Sequence, residues 1–174
     1  MEIINKKKVY SGFLEFDVLN VKLKNGNVIE REVITKKDGV AIIAVTKDNE
    51  IYLTKQPRIA INVEESIEIP AGLIEDEDFM ETAKRELLEE TGCISEKMID
   101  LGYFYGDVGS GTNKTHLVLA LNVEKVQELK LDEDEFLESY KLPKEKVYEM
   151  LESGVIKDSH SIIGLLKAKK YLEH

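Results

Sequence analysis

Between Gly39 and Thr46 the chain reads Gly-Val-Ala-Ile-Ile-Ala-Val-Thr, eight residues without a charge. A short, continuous apolar run of this kind predicts a strand buried on both faces. Other segments alternate. Val9–Val21 reads as one strand and Val28–Ile34 as another. Asn25-Gly26 between them predicts a two-residue hairpin loop, whose positions need positive φ. Asp48-Asn49 turns the chain into a strand at Ile51–Lys55, and Ser66–Ala71 reads as a further strand ending in Pro-Ala-Gly. From Asp78 to Thr91 the period changes to that of a helix, with Met80, Ala83 and Leu87 forming an apolar stripe. Acidic residues open this helix, where they complement its dipole, and Gly92 stops it. Strands follow near Leu101–Tyr105 and His116–Val123. After the acidic run Leu131-Asp132-Glu133-Asp134-Glu135 comes a short strand at Phe136–Leu142. Pro143 starts a helix that Gly154 ends, and Asp158 or Ser159 caps a last helix over Ser161–Leu172. Strands and helices in this order predict a sheet packed between helices.

Composition narrows the picture. The 174 residues suit a single domain with a sizeable core, 43% hydrophobic and 33% charged. No apolar run reaches transmembrane length, and the basic N-terminus lacks the apolar stretch of a signal peptide. Cys93 stands alone, so no internal disulfide forms, and a reducing cytoplasm is the simplest location. The formal charge of −10 repels polyanions and argues against a nucleic-acid groove; the triplet Lys6-Lys7-Lys8 is too short to reverse this. An acidic chain can still act on phosphates where bound metal inverts the local charge.

The candidate chemistry lies on the helix at 78–91. Glu86, Glu89 and Glu90 are spaced i, i+3, i+4 and share one face. Three carboxylates within one turn repel one another, so either water screens them or divalent cations bind them. Mg²⁺ takes hard oxygen ligands and keeps room for water and substrate phosphate, which suits pyrophosphate hydrolysis. A glutamate-rich helix face by itself is more often plain solvated surface.

The longer pattern changes that balance. Gly72, the acidic residues before the helix, and Arg85-Glu86-Leu87-Leu88-Glu89-Glu90-Thr91-Gly92-Cys93 resemble the Nudix box. The second half of the box is intact. The first half is one residue short between Gly72 and Arg85, so that either Glu77 or Asp78 fills its early acidic position. The resemblance implies an α/β fold: an α/β/α sandwich with a mixed sheet and a small N-terminal antiparallel β lobe. Residues 1–36 would form the lobe and serve dimerisation; residues 37–174 would form the hydrolase domain, with the box at 72–93. It further implies that Glu86 and Glu90 ligate metal, with Glu89 as a further ligand or catalytic support. The backbone carbonyl of Ala71 or Gly72 would complete the metal shell, and Arg85 would orient the glutamates. Mg²⁺ is the implied cofactor, with Mn²⁺ as a substitute.

Beyond the box the chain is similar to the ADP-ribose pyrophosphatase branch. The resemblance rests on Arg31-Glu32-Val33, Lys55-Gln56-Pro57-Arg58, Glu68-Ile69-Pro70-Ala71-Gly72, and the acidic run through Asp132–Glu138. It implies a small-molecule nucleotide substrate. Arg58 and Arg31 are then candidates to grip the diphosphate, since a guanidinium matches phosphate oxygens. Glu68 is a candidate contact for nucleoside or ribose. Glu135, or else Glu133, is the implied general base. The branch's proline-containing stretch after the box is replaced here by Phe104-Tyr105-Gly106-Asp107-Val108-Gly109-Ser110-Gly111, a glycine-rich and therefore more flexible run. That departure leaves other substrates open: a nucleotide sugar such as GDP-mannose, coenzyme A, or a nucleoside triphosphate. A catalytically silent nucleotide-binding module is a further alternative. A homodimer is the expected assembly. His116, His160 and Cys93 read as structural.

Overall fold

The computed structural model describes residues 1–131 and 136–173. The N-terminal stretch folds as two strands where alternation predicts one. β1 (Glu2–Ser11) and β2 (Glu15–Lys22) are antiparallel, with the reversal at residues 12–14. β3 (Val28–Thr35) pairs with β2, so β2 is the central strand of a three-stranded sheet. β1 is exposed along its whole length and carries irregularities between Ile3 and Asn5 and between Lys8 and Tyr10. With no buried face and a broken period of two, it leaves no hydrophobic pattern to read. The β2–β3 loop is also longer than expected. The Gly26 N–H donates to Leu23 O (3.0 Å), Leu23 N donates to Asn27 O (2.8 Å), and only Gly26 has positive φ (88°). This is a type I turn followed by a left-handed glycine, the three-residue solution.

These strands belong to one of two compact units, Met1–Asp38 together with Phe104–Lys114. Within it the glycine-rich run is not an open loop. Ile34 N donates to Ser110 O (2.8 Å) and Thr112 N to Ile34 O (3.2 Å), adding the run to the edge of β3. The Asp107 carboxylate accepts from Gly109 N (2.8 Å), and its bonds to the Ser110 hydroxyl and these amides hold it below the usual carboxylate range.

The second unit starts at Gly39. β4 (Gly39–Val45) and β5 (Glu50–Arg58) lead through a 3₁₀ turn (Ile59–Ile61) to β6 (Val63–Glu68). After Ile69-Pro70 comes β7 (Ala71–Leu73). The single strand expected at 66–71 is thus two: β6 pairs with β5, and β7 pairs with β4. Pro70 cannot donate to a ladder, and the break falls there. Helix α1 (Phe79–Thr91) precedes β8 (Cys93–Ile94), β9 (Lys97–Tyr105), β10 (Lys114–Leu121) and β11 (Glu124–Lys125). β12 (Glu138–Pro143), α2 (Lys144–Glu152) and α3 (Ser159–Leu172) complete the described elements. The main sheet runs β12-β5-β4-β10-β9; β4 and β10 are parallel, whereas β12 and β5 are antiparallel, so the sheet is mixed.

β4 organises both layers. Val40, Ile42 and Ala44 pack with Ala83 and Leu87 of α1, together with Val118, Ala120 and Cys93. Residues pointing the other way meet α3: a Cβ on Gly164 would lie 3.0 Å from Ile69 Cδ1 and 3.2 Å from Ile43 Cδ1. The residue is glycine because the helix backbone sits directly on the sheet. Burial of each large aliphatic side chain here contributes about 2 kcal/mol. The result is the expected α/β/α sandwich. No helix among the described residues is long and apolar enough to cross a membrane.

Gly164→Val should overpack this contact and cost about 1–3 kcal/mol, read as a lowered urea midpoint. An unchanged midpoint would mean that α3 retreats from β4 without loss.

Candidate active site

The site forms where β7 passes the glutamate face of α1. Asp78 caps this helix, its carboxylate accepting from Met80 N (2.8 Å) and Glu81 N (3.1 Å). Glu77 is left for a different task. Its carboxylate accepts from Arg85 Nε at 2.9 Å. The same guanidinium reaches Glu86 Oε1 (2.9 Å) and Glu89 Oε2 (2.8 Å), and donates to Leu73 O at 3.5 Å. Partial burial works against the charge of Arg85, but Glu77, Glu86 and Glu89 outweigh it and keep the group firmly protonated. One cation therefore fixes three carboxylates.

Glu90 is held separately. It is only 5% exposed and its Oε2 accepts the backbone N–H of Ala71 at 3.0 Å. Glu86 lies against the next residue: a Cβ at Gly72 would come within 1.8 Å of Glu86 Oε1. Only glycine lets the strand and the glutamate approach so closely. These residues line a cleft of about 390 Å³ together with Gln56, Arg58, Leu73, Glu75 and Lys130.

The metal-binding expectation can be tested against this geometry. Among the described residues, no three acidic, His or Cys side chains converge into a ready-made cage. Mg²⁺ does not require one, because it binds through one or two carboxylates and keeps water and phosphate oxygens for its other positions. Carboxylates of Glu86 and Glu90 at one cleft wall, with glycine backbone beside them, fit such an ion. The donor set is hard oxygen throughout, which disfavours softer metals.

Arg58 and Glu68 prove to be partners. Arg58 Nε donates to Glu68 Oε1 at 2.8 Å and its Nη2 bonds Glu68 Oε2, a two-pronged pair between β5 and β6. Glu68 is buried and Arg58 half-exposed at the cleft wall. Burial pushes the Glu68 carboxyl up, but the Arg58 fork, the Ser66 hydroxyl and the charge of His160 together hold it below its ordinary value. Glu68, Glu90 and Asp158 in turn favour the charged form of Arg58. Just beyond Glu68, Ile69 N donates to the buried Ser161 Oγ at 2.8 Å, so α3 fixes the approach to β7.

Arg31 lies on β3 in the other unit, its Nη1 donating to Glu30 O at 2.9 Å. Glu133 and Glu135 lie outside the described residues. His116 stacks on Phe79 (4.4 Å between centroids), and Cys93 is fully buried, both in packing roles.

Comparison with known proteins agrees with this geometry. The family profile for the NUDIX domain matches residues 35–161. The chain belongs to the Nudix family. Its relatives include an ADP-ribose pyrophosphatase from Bacillus subtilis (strain 168), 33% identical over 98% of this chain and 94% of that protein. A methanol dehydrogenase activator from Bacillus methanolicus is 34% identical over 98% of this chain and 95% of its own. A GDP-mannose pyrophosphatase from Pectobacterium atrosepticum is 31% identical over 97% of this chain and 93% of that protein. A solved structure described as an ADP compounds hydrolase superposes with a TM-score of 0.87, covering 99% of this chain and 94% of its own at 21% identity, which supports the fold. The protein is a Nudix hydrolase related to ADP-ribose and GDP-mannose pyrophosphatases, a family whose hydrolases generally use divalent metal ions.

Within the shortened first half of the Nudix box, Glu77 and Asp78 make different contacts. Glu77 joins Arg85, whereas Asp78 is occupied as the helix cap. Sequence reasoning missed Leu73, whose contribution is a backbone carbonyl, and Glu75 and Lys130, which no periodicity or spacing singles out; Gln56, quoted only as part of a motif, also lines the cleft.

The Arg58–Glu68 pair makes stability depend on pH in a defined direction. Glu68 has a folded-state value below the ordinary 4.5, so its contribution is present above that pH and lost as pH falls through the lower folded value. Arg58→Gln leaves the burial of Glu68 uncompensated. It should cost about 2 kcal/mol at pH 7, below the figure for a fully buried pair because Arg58 is partly solvated. The deficit should shrink towards pH 4, as the variant's Glu68 takes up its proton. Urea midpoints at both pH values check this; an equal deficit at both would show that the two groups are not coupled.

Proposed function

We propose that this Nudix protein is a Mg²⁺-dependent hydrolase of the pyrophosphate bond in a nucleoside diphosphate linked to a sugar or similar group, with ADP-ribose split to AMP and ribose 5-phosphate as the leading reaction. The observation that carries this reading is the intact box glutamates, fixed by Arg85 and by Ala71 N–H around one cleft.

In this reading Glu86 and Glu90 hold Mg²⁺ or Mn²⁺, with Glu89 and the carbonyl of Ala71 in support. Loaded with the cation, the cleft gains an acidified water and charge neutralisation at the diphosphate. Glu135, or else Glu133, takes the proton as water attacks phosphorus and the bridging P–O bond breaks. Arg85 keeps the glutamates in place, since they repel one another and would otherwise swing apart. Arg58 presents the side of its guanidinium not held by Glu68 to the cleft, and Arg31 is the second arginine for the diphosphate. Glu68 positions Arg58 and is the candidate contact for nucleoside or ribose.

A GDP-mannose-type nucleotide sugar is the second reading, supported by the relative of that name and by the 104–111 run, which departs from the ADP-ribose branch. Coenzyme A and nucleoside triphosphates are further substrates of the same chemistry; a silent binding module has less support, because the box keeps Glu86, Glu89 and Glu90. We infer a cytoplasmic enzyme that acts on a small molecule without nucleic acid or membrane. We also infer a homodimer formed through the N-terminal lobe, in which β1 exposes Ile3, Ile4, Val9 and Tyr10.

Purified protein incubated with ADP-ribose, GDP-mannose, coenzyme A and nucleoside triphosphates should release AMP from ADP-ribose with Mg²⁺. It should release none after chelation, and Glu90→Gln should lower turnover at least ~100-fold. Product from GDP-mannose alone would move the substrate and keep the chemistry. Undiminished turnover in Glu90→Gln would remove the metal role assigned to this residue. For the assembly, light scattering at micromolar concentration should give twice the chain mass of 19.8 kDa, whereas a monomer would refute the dimer.

A further inference from the structure

Lys130 reaches the cleft by a route that the box does not describe. After β11 the chain turns back over the end of α1. Val126 N and Gln127 N both donate to Gly92 O (2.8 and 3.2 Å), and Lys130 N donates to Glu89 O at 3.0 Å. Gly92 has φ +71°, and a Cβ there would sit 2.0 Å from Gln127 O. The segment is thus seated on the helix terminus and answers carbonyls that the helix leaves without an internal partner. It sets the backbone of Lys130 one hydrogen bond away from the backbone of a box glutamate.

The charges lining the cleft show what is missing. Glu75, Glu86, Glu89 and Glu90 face Arg58, Arg85 and Lys130. Arg85 is committed to Glu77, Glu86 and Glu89, and Arg58 places its fork on Glu68. No ion pair among the described residues takes up the Lys130 ammonium. A diphosphate entering this cleft brings further negative charge to a wall of carboxylates. In the pyrophosphatase reading, a cation held by Glu86 and Glu90 would offset part of it. The phosphate oxygens on the other side need a cation that is not already spent on a glutamate. A lysine is a mobile point charge on a long stem and suits phosphate without demanding a fixed fork.

We propose that Lys130 is a substrate-binding residue that contacts the diphosphate of the nucleotide and lowers the repulsion between substrate and the box glutamates. The proposal rests on the pyrophosphatase reading above. It makes Lys130 a binding group and not a proton carrier, so the effect belongs to substrate affinity.

The test combines kinetics with equilibrium binding. Steady-state turnover of ADP-ribose with Mg²⁺ is measured for the wild type, Lys130→Gln and Lys130→Arg, at low and high salt. Binding of the α,β-methylene analogue of ADP-ribose, which cannot be cleaved at the bridge, is measured by calorimetry under the same conditions. Lys130→Gln should raise KM and the analogue's Kd about tenfold, with a much smaller change in kcat. Lys130→Arg should restore most of the affinity. Added salt should weaken wild-type binding more than binding to the glutamine variant. A purely structural role would move the urea midpoint and would not produce this salt dependence. KM and Kd within twofold of wild type in Lys130→Gln would overturn the proposal. Wild type that binds the analogue but turns nothing over would sink the hydrolase reading and leave Lys130 to be judged by binding alone. Wild type that neither binds nor turns over would overturn both.

Discussion

The organising constraint of this molecule is repulsion. Glu77, Glu86, Glu89 and Glu90 must stand close together in a protein that is already strongly acidic, and each must point in a useful direction. Arg85 relieves most of this by bonding three of them at once. Glu90 is dealt with differently, by burial against the N–H of Ala71. Backbone dipole and guanidinium thus divide the work. The two solutions also differ in consequence: the Arg85 cluster is partly solvated and can adjust, whereas Glu90 is fixed to a strand that belongs to the main sheet.

That strand is short, and its position depends on both layers of the sandwich. β7 lies on β4, which packs against α1 on one face and α3 on the other. Gly72 allows Glu86 to approach, and Gly164 allows α3 to approach. Gly72 lies on a strand of the sheet and Gly164 on a helix packed against it, and both allow a backbone to come close to a neighbouring side chain. The cleft is therefore a property of the packed domain more than of the box alone, even though the box supplies most of its chemistry.

Much of this was legible in the sequence because the relevant patterns are local. The apolar run at Gly39–Thr46 announced a doubly buried strand, and the i, i+3, i+4 glutamates announced one helical face. What stayed hidden has particular causes. β1 has no buried face, so it carries no alternation. The split between β6 and β7 depends on which neighbour each half pairs with, a tertiary fact. The Arg58–Glu68 fork joins residues on adjacent strands whose register a single sequence does not give. Lys130 owes its place to a chain reversal over Gly92, and Leu73 acts through its backbone, which residue identity cannot reveal. That Asp78 caps the helix while Glu77 pairs with Arg85 depends on where the helix starts, which residue identity does not fix.

The bond from Ile69 N to Ser161 Oγ spans 92 positions of the chain. The box is complete in sequence by Gly92, but the approach to it is fixed by the first turn of the last helix. On a ribosome, then, the glutamates would emerge long before the residue that anchors Ile69. The strand beside them would gain its anchor at Ile69 only when α3 docked. An element made well after the box is the one that fixes the chain leading into the strand of Ala71 and Gly72.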